Sequence, residues 1–221
     1  MTTVALTRAA GGNDELAARL GAVPGIETVE CPLIRIEPFE PMQIRADAYD
    51  WVVLTSRVGA DLFFARLEGE APAVATIGPG TADAVRAHGV EPSLVAHVFT
   101  QEGLVAELPR PAGRVLFAGA ADARPLLARE LGADVVALYR TVDERPEAFP
   151  DANLVVLASA SAARALAAVG VRLPCVSIGP VTSAAARALG LEVEAEAATH
   201  DVDGLVEAVK LAASRGGSSP S

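Results

Sequence analysis

The chain has 221 residues, carries a net charge of −10, and is 51% hydrophobic but only 4% aromatic. This composition excludes a disordered chain. It also argues against a nucleic-acid partner, because nucleic-acid binding requires a basic surface. Lys210 is the only lysine, so neither Schiff-base chemistry nor a phosphate-binding lysine is expected.

Short apolar runs alternate with amphipathic stretches along the whole sequence. Strands are predicted at residues 3–7, 28–36, 51–55, 73–77, 93–98, 114–118, 134–142, 154–158, 174–178 and 191–195. Amphipathic segments such as NDELAARLG and TADAVRAHG lie between them and predict helices, whereas the terminal SRGGSSPS predicts a disordered tail. Continuous Val/Leu/Ile strands followed by helices are typical of parallel sheets covered on both faces. The predicted class is therefore α/β.

The sequence is an approximate duplication. TIGPGTADAVRAHG from Thr76 and SIGPVTSAAARALG from Ser177 start 101 residues apart and share eight of fourteen residues. The segments TQEGLVAEL and DVDGLVEAV repeat with the same spacing, and CPLIRI corresponds to VALYRT about 105 residues later. These matches predict two α/β units rather than a short-period solenoid.

Two predicted strands, VECPLIRIEPFEP and DVVALYRTVDERP, differ from the rest because they run long, end polar and reach a proline without a helix. Proline and acidic residues at their ends suit strands that connect the two units. We expect an antiparallel pair here.

Gly-Pro-x-Thr opens a predicted helix in each repeat, with Thr81 and Thr182 expected at the N-caps. One interpretation is a purely structural turn that ends the strand and starts the helix. The other is an anion-binding site formed by the free amides and the dipole of the helix terminus. Thr55, Ser56, Ser159 and Ser161 follow strands at their carboxyl ends, where open α/β sheets bind ligands. Hydroxyls there either cap helices or bind ligand, and the sequence leaves both open.

Other catalytic motifs are missing from the sequence. His88 in a helix, His97 in a strand and His200 in a loop have no spacing that pairs them with a nucleophile. The glycine spacing fits neither a dinucleotide fingerprint nor a phosphate loop. Tyr139 can donate a proton or be a half-buried strand residue, and Tyr49 is expected to be structural.

Targeting and metal signals are also missing. No uncharged apolar run reaches the roughly 18 residues that a membrane span requires. No signal peptide is expected, because charge appears at Arg8. Cys31 and Cys175 have no metal-like neighbours and are expected to be buried in strands. These features predict a cytoplasmic protein with no membrane contact and no metal site.

Taken in order, the motifs ALTR, CPLIRIEP, DWVVLTSRVGADLF, TIGPGTADAVRAHGV, ALYRT, LVVLASASAARAL, SIGPVTSAAARALGL and AxxATHDVDGLV resemble those of uroporphyrinogen-III synthases over essentially the whole chain. The resemblance implies two parallel α/β domains joined by a two-stranded antiparallel ladder. Domain 1 would comprise residues 1–34 and 144–221, domain 2 residues 40–134, and the linker strands residues 35–39 and 135–143.

The resemblance also implies a reaction. A synthase of this family, without a cofactor, cyclises hydroxymethylbilane with loss of water and inverts ring D through a spiro intermediate. The expected protein is a monomer that contacts the preceding pathway enzyme transiently. The alternative is a non-enzymatic two-lobed binder of a small polyanion, an inactive or regulatory relative.

Carried over by position, the resemblance makes Tyr139 the residue that assists loss of the hydroxyl. The implied substrate-binding residues are Arg8, Thr55, Ser56, Gly78, Thr81, Gly119, Arg124, Ser159, Ser161, Gly179 and Thr182. Ala118 stands where the family often has Arg, and Ala158 where it often has Thr, so Arg124 is the expected replacement for the missing arginine. Because the chain is acidic, we expect Arg8, Arg57, Arg124 and Arg140 to make the binding site locally positive.

Overall fold

A computed structural model describes residues 1–216 of the chain. The strands in chain order are β1 Thr2–Leu6, β2 Ile26–Glu30, β3 Ile34–Pro38, β4 Ile44–Arg45, β5 Trp51–Leu54, β6 Leu67–Glu68, β7 Ala73–Thr76, β8 Leu94–Val95, β9 Val115–Ala120, β10 Asp134–Asp143, β11 Leu154–Leu157, β12 Cys175–Ser177 and β13 Val193–Glu196. The helices are α1 Asp14–Gly21, α2 Arg57–Phe64, α3 Pro79–Ala87, α4 Gln101–Glu107, α5 Leu126–Leu131, α6 Ala160–Ala168, α7 Pro180–Ala188 and α8 Val202–Gly216.

The chain divides into two compact units. Unit 1 comprises Met1–Ile36 with Val142–Ser221, and unit 2 comprises Glu37–Thr141. Unit 1 contains a sheet in the order β13-β12-β11-β1-β2, and its strand pairs are parallel. A six-stranded sheet in the order β3-β10-β9-β5-β7-β8 extends through unit 2 and is parallel from β10 to β8. The predicted α/β class with parallel sheets is confirmed.

Helices cover both faces of the unit 1 sheet. Val4 and Leu6 of β1 pack with α1 and α8 on one face, while Ala5 packs with α6 and α7 on the other. Because Val4, Ala5 and Leu6 are buried on alternate faces of the same strand, this part of β1 is a continuous apolar run. In unit 2, α2 packs against α3 and α4 against α5. The core is built mainly of Ala, Val and Leu, as the low aromatic content requires.

The strands β3 and β10 carry the chain between the units. The Phe39 amide donates to the Leu138 carbonyl at 2.9 Å, and the Glu144 amide donates to the Leu33 carbonyl at 2.8 Å. Residue numbers fall on one strand as they rise on the other, so the pair is antiparallel, as predicted. The two hydrogen bonds correspond in the duplication. The donors, Phe39 and Glu144, are 105 residues apart, and so are the acceptors, Leu33 and Leu138.

Some predicted elements are wrong in detail. The predicted strand at 28–36 is broken at Cys31–Leu33 into β2 and β3, since Pro32 lacks the amide that a continuous ladder needs. His97 was expected in a strand, but β8 ends at Val95. Residues 214–216 belong to α8 rather than to a disordered tail, and the rest of that predicted tail lies outside the described residues. The short pair β4–β6 was not predicted.

Candidate active site

A bulge in β10 sets the position of Tyr139. The register of β10 on β9 shifts between Ala137 and Tyr139, so that Tyr139 pairs with Ala120. Such a bulge re-aims side chains, and here two successive residues, Leu138 and Tyr139, are both buried. Arg66 supports the bulge by donating to the Leu138 carbonyl at 3.3 Å and to the Phe39 carbonyl at 2.6 Å.

Ser56 and Tyr139 meet at the carboxyl edge of the unit 2 sheet. The Ser56 Oγ lies 2.9 Å from the Tyr139 Oη. Ser56 is also the N-cap of α2, and its Oγ accepts a hydrogen bond from the Gly59 amide at 2.9 Å. The serine therefore links the start of a helix to the phenol. The sequence left open whether the Ser56 hydroxyl caps a helix or binds a ligand, and in the structure it caps α2.

The Tyr139 side chain is held in a largely dry position. Only 6% of the residue is exposed. Burial raises the pKa of its phenol, and the hydrogen bond with Ser56 opposes part of that rise. Tyr139 is therefore protonated at neutral pH and can act as a proton donor. Tyr49, the other tyrosine, donates to Asp134 at 2.9 Å and lies under the Arg114 guanidinium, so its role is structural.

The Gly-Pro-x-Thr turns differ from the prediction in one respect. Gly78 and Gly179 are the N-caps of α3 and α7, and the prolines occupy the first helical position. Thr81 and Thr182 are therefore in the first turn rather than at the N-caps as expected. Pro fits the first helical position because its missing amide would have no partner there.

These two helices also lack a side-chain cap, unlike the serine-capped helices. The first intrahelical amides to reach a partner are those of Ala82 and Ser183. The amides of Gly80 and Thr81, and their counterparts in α7, thus remain available at a positive helix end. This favours the anion-binding interpretation.

An aromatic ring lies against each capping glycine. A Cβ on Gly78 would lie 3.1 Å from the Phe99 ring, and one on Gly179 would lie 2.7 Å from the His200 ring. Phe99 and His200 are 101 residues apart and therefore correspond in the duplication. Neither residue was predicted to contact these glycines. The duplication held a signal for them, because each immediately precedes one of the repeated segments TQEGL and DVDGL.

In unit 1, Ser159 and Ser161 occupy the carboxyl edge of the sheet. Ser159 is the N-cap of α6 and accepts from the Ala162 amide at 3.1 Å. Its Oγ lies 2.9 Å from the Ser161 Oγ. The edge also holds Thr7, whose Oγ1 donates to the Val156 carbonyl at 2.6 Å and ties β1 to β11. The two predicted serines are therefore together, beside a strand end.

The candidate arginines are engaged by the protein. Arg124 donates to both Glu102 carboxylate oxygens, at 2.6 and 2.9 Å, and lowers the pKa of Glu102 to about 2. Arg140 pairs with Glu37 at 2.6 Å. Arg57 donates to the Gly80 carbonyl at 2.9 Å, which places a cation beside the start of α3. Arg8 donates to the Gly12 carbonyl at 3.3 Å, just after β1.

The remaining candidates lie near strand ends. Thr55 follows β5 directly, and Gly119 is a buried residue of β9 opposite Ala137. A Cβ on Gly119 would lie 2.9 Å from the Phe117 ring, which explains the glycine by packing. Outside the site, His88 pairs with Asp61 and His97 with Glu107. Cys31 and Cys175 are buried free thiols, as predicted, but only Cys175 lies in a strand, because β2 ends at Glu30.

The comparisons with known proteins agree on one family. A family model described as uroporphyrinogen-III synthase HemD matches residues 14–207. The chain belongs to this family. It is 28% identical, over 94% of both chains, to the uroporphyrinogen-III synthase of Synechococcus elongatus. Members are lyases of tetrapyrrole biosynthesis, and the chain is an enzyme of this class. The matches favour this interpretation over a non-enzymatic binder.

Solved structures show the same fold. A mutant uroporphyrinogen III synthase from the extremely thermophilic bacterium Thermus thermophilus aligns with a TM-score of 0.66 at 16% identity, covering 97% of this chain and 100% of that one. The uroporphyrinogen-III synthetase of Helicobacter pylori aligns with a TM-score of 0.65 at 14% identity, covering 95% and 99%. Both support the two-domain α/β architecture. Across residues 1–216, none of the helices is long and apolar enough to cross a membrane.

Proposed function

We propose that the chain cyclises hydroxymethylbilane to uroporphyrinogen III with loss of water, inverting ring D through a spiro intermediate. The observation that carries this proposal is the Ser56–Tyr139 hydroxyl pair, 2.9 Å apart at the carboxyl edge of a parallel sheet. Ligands bind at this edge in open α/β folds. A protonated, largely buried phenol suits the first chemical step, in which a hydroxyl must leave.

Tyr139 is the catalytic residue of the proposal. The carbon–oxygen bond of the terminal hydroxymethyl group breaks as electrons from the pyrrole ring form a cationic azafulvenium, which keeps its N–H proton. The departing oxygen takes the phenol proton and leaves as water. Because the bilane closes unaided to the type I isomer, the rest of catalysis is control of the substrate's conformation.

The substrate's carboxylates need positive partners on a protein of net charge −10. We propose that the uncapped amides at the starts of α3 and α7 bind carboxylates, with Gly78, Thr81, Gly179 and Thr182 shaping the two turns. The other proposed substrate-binding residues are Arg8, Thr55, Ser56, Gly119, Arg124, Ser159 and Ser161.

The arginines are proposed to act electrostatically. Arg124 and Arg140 are each paired with a glutamate, so their positive charge is partly neutralised before substrate arrives. Replacing each with alanine should raise KM and weaken its dependence on salt. If both variants keep the wild-type KM and the wild-type dependence of KM on salt, these arginines do not steer the substrate.

The finer organisation is also proposed. We propose that domain 1 comprises residues 1–34 and 144–221, domain 2 residues 40–134, and the linker residues 35–39 and 135–143. We propose a cytoplasmic monomer that contacts the preceding pathway enzyme transiently.

Isomer analysis tests the proposed function. Freshly prepared hydroxymethylbilane is mixed with the protein, the products are oxidised, and the type I and type III isomers are separated. The type III isomer should dominate and form faster than the spontaneous product. Type I product alone, at the spontaneous rate, would contradict the proposal.

A further inference from the structure

The Ser56 hydroxyl has two neighbours, and together they restrict where its proton can point. Its oxygen accepts the Gly59 amide hydrogen at 2.9 Å, which occupies one lone pair. The second neighbour is the Tyr139 Oη, also at 2.9 Å, and either oxygen can be the donor of that bond. A hydroxyl carries one proton and two acceptor lone pairs.

The requirement of the reaction decides between the two directions. A phenol that gives its only proton to a leaving hydroxyl cannot give it to Ser56 as well, so it must accept from the serine. We propose that Ser56 is a positioning residue that donates its proton to the Tyr139 oxygen and thereby turns the phenol proton towards the substrate. This inference rests on the function proposed above for Tyr139.

The resulting chain of hydrogen bonds runs in one direction. The Gly59 amide donates to Ser56, Ser56 donates to Tyr139, and Tyr139 donates to the leaving hydroxyl. As the substrate's carbon–oxygen bond breaks, the phenol proton leaves with water and the phenolate is stabilised by the Ser56 donor at the start of α2. Ring closure later releases one proton when the pyrrole regains aromaticity, and that proton restores the phenol.

The duplicated serine shows that capping alone does not create this arrangement. Ser159 caps α6 as Ser56 caps α2, but its hydroxyl meets the Ser161 hydroxyl instead of a phenol. The residue that corresponds to Tyr139 in the first repeat is Ile34. Ser56 therefore has a partner that its capping role does not require.

A phenol titration tests the inference without using enzyme activity. The chain has two tyrosines, so in a Tyr49→Phe background Tyr139 is the only phenol and its ionisation can be followed by tyrosinate absorbance. In that background Ser56→Ala should raise the pKa of Tyr139, because the phenolate loses a donor. Ser56→Thr, which keeps a hydroxyl, should restore the value.

Thr100→Ala is the matched control. Thr100 caps α4 in the same unit by accepting from the Gly103 amide at 3.1 Å, and it makes no hydrogen bond to Tyr139. It should leave the Tyr139 titration unchanged. An unchanged or lowered pKa in Ser56→Ala, an equal rise in Thr100→Ala, or failure of Ser56→Thr to restore the value would each overturn the inference.

Kinetics give the second readout. Ser56→Ala should lower kcat about tenfold, as expected for a lost hydrogen bond to a charged group, with a smaller change in KM. A rise in KM with an unchanged kcat would leave Ser56 only the binding role proposed above and would overturn the inference. The two proposals fail in different ways. Absence of type III product from the wild-type protein contradicts the proposed function, whereas an unchanged pKa of Tyr139 in Ser56→Ala contradicts only the role of Ser56.

Discussion

The two units repeat the same strand-to-helix junction with different surroundings. Ser56 and Ser159 have nearly the same extended backbone, with φ and ψ of −159° and 154° in one and −163° and 161° in the other. Each caps a helix. In unit 2 the cap reaches the Tyr139 phenol, and in unit 1 it reaches another serine. The backbone frame was duplicated, and the side chains that bear chemistry then diverged.

Other duplicated positions teach the same lesson. Gly103 and Gly204 remain glycine in both repeats because a Cβ would lie 2.0 Å from the carbonyl oxygen of Val98 or Thr199. By contrast, the ring over the capping glycine is Phe99 in unit 2 and His200 in unit 1. Positions fixed by close backbone approach persist, whereas positions at the sheet edge are free to differ.

The largest expected effect on activity comes from removing the Tyr139 phenol, which has no counterpart in unit 1. Tyr139→Phe should lower kcat about 100-fold or more, the usual contribution of a general acid. The product should remain mainly type III, because conformational control does not depend on the proton. Stopped assays with isomer separation measure kcat and the ratio of isomers. A wild-type kcat would show that Tyr139 is not a general acid in the reaction.

The next largest effect concerns stability and tests whether the two corresponding glycines, Gly103 and Gly204, are equally intolerant of a side chain. Gly103→Ala and Gly204→Ala should each lower the free energy of unfolding by about 2–3 kcal/mol, because a Cβ would collide with a loop carbonyl. Gly21→Ala is the control, since it is helical and a Cβ there meets nothing within 4 Å. Denaturant unfolding measures all three, and equal stability of Gly103→Ala and Gly21→Ala would contradict the collision.

A smaller effect concerns Gly59, whose amide donates to the capping Ser56 hydroxyl. Gly59 in unit 2 corresponds to Ala162 in unit 1, and a Cβ on Gly59 would lie 2.9 Å from the Ser56 Oγ. Gly59→Ala should therefore displace the serine hydroxyl and lower kcat several-fold, even though alanine favours the helix. Steady-state kinetics check this, with circular dichroism to verify folding. An unchanged kcat would show that the cap tolerates the methyl group.

The smallest effect concerns the ion pair of Glu102 with Arg124. The corresponding acidic residue of unit 1, Asp203, pairs with Arg19 instead. The folded-state pKa of Glu102, about 2, lies below its ordinary value of 4.5. The pair thus stabilises the fold above about pH 4.5, and this contribution is lost as pH falls towards 2. Because both side chains are about half exposed, Glu102→Gln should remove only about 0.5 kcal/mol.

Unfolding at pH 7 and pH 3 measures this difference. The wild-type protein should lose more stability than Glu102→Gln between the two values. Equal losses would mean that the ion pair does not contribute.

The sequence predicted the class, the duplication and the connecting strands, because hydrophobic periodicity and proline placement are local signals. It also selected Tyr139 and Ser56, but not their contact. That contact depends on the bulge between Ala137 and Tyr139, which leaves no trace in the alternation of ALYRTV. The predicted N-cap position of Thr81 was wrong because Gly78 is the N-cap and Pro79 occupies the first helical position. The contacts of the Phe99 and His200 rings with the capping glycines were missed because loop packing is a tertiary property.

Our central proposal is that Tyr139 of unit 2 supplies the proton for the reaction, whereas Ser159 and Ser161 of unit 1 contribute to substrate binding. Its most direct test is a side-by-side measurement of kcat and KM for Tyr139→Phe and for the Ser159→Ala, Ser161→Ala double variant, with isomer analysis of both. The account predicts that Tyr139→Phe lowers mainly kcat and that the double variant raises mainly KM. A double variant that loses as much kcat as Tyr139→Phe would contradict the division of roles.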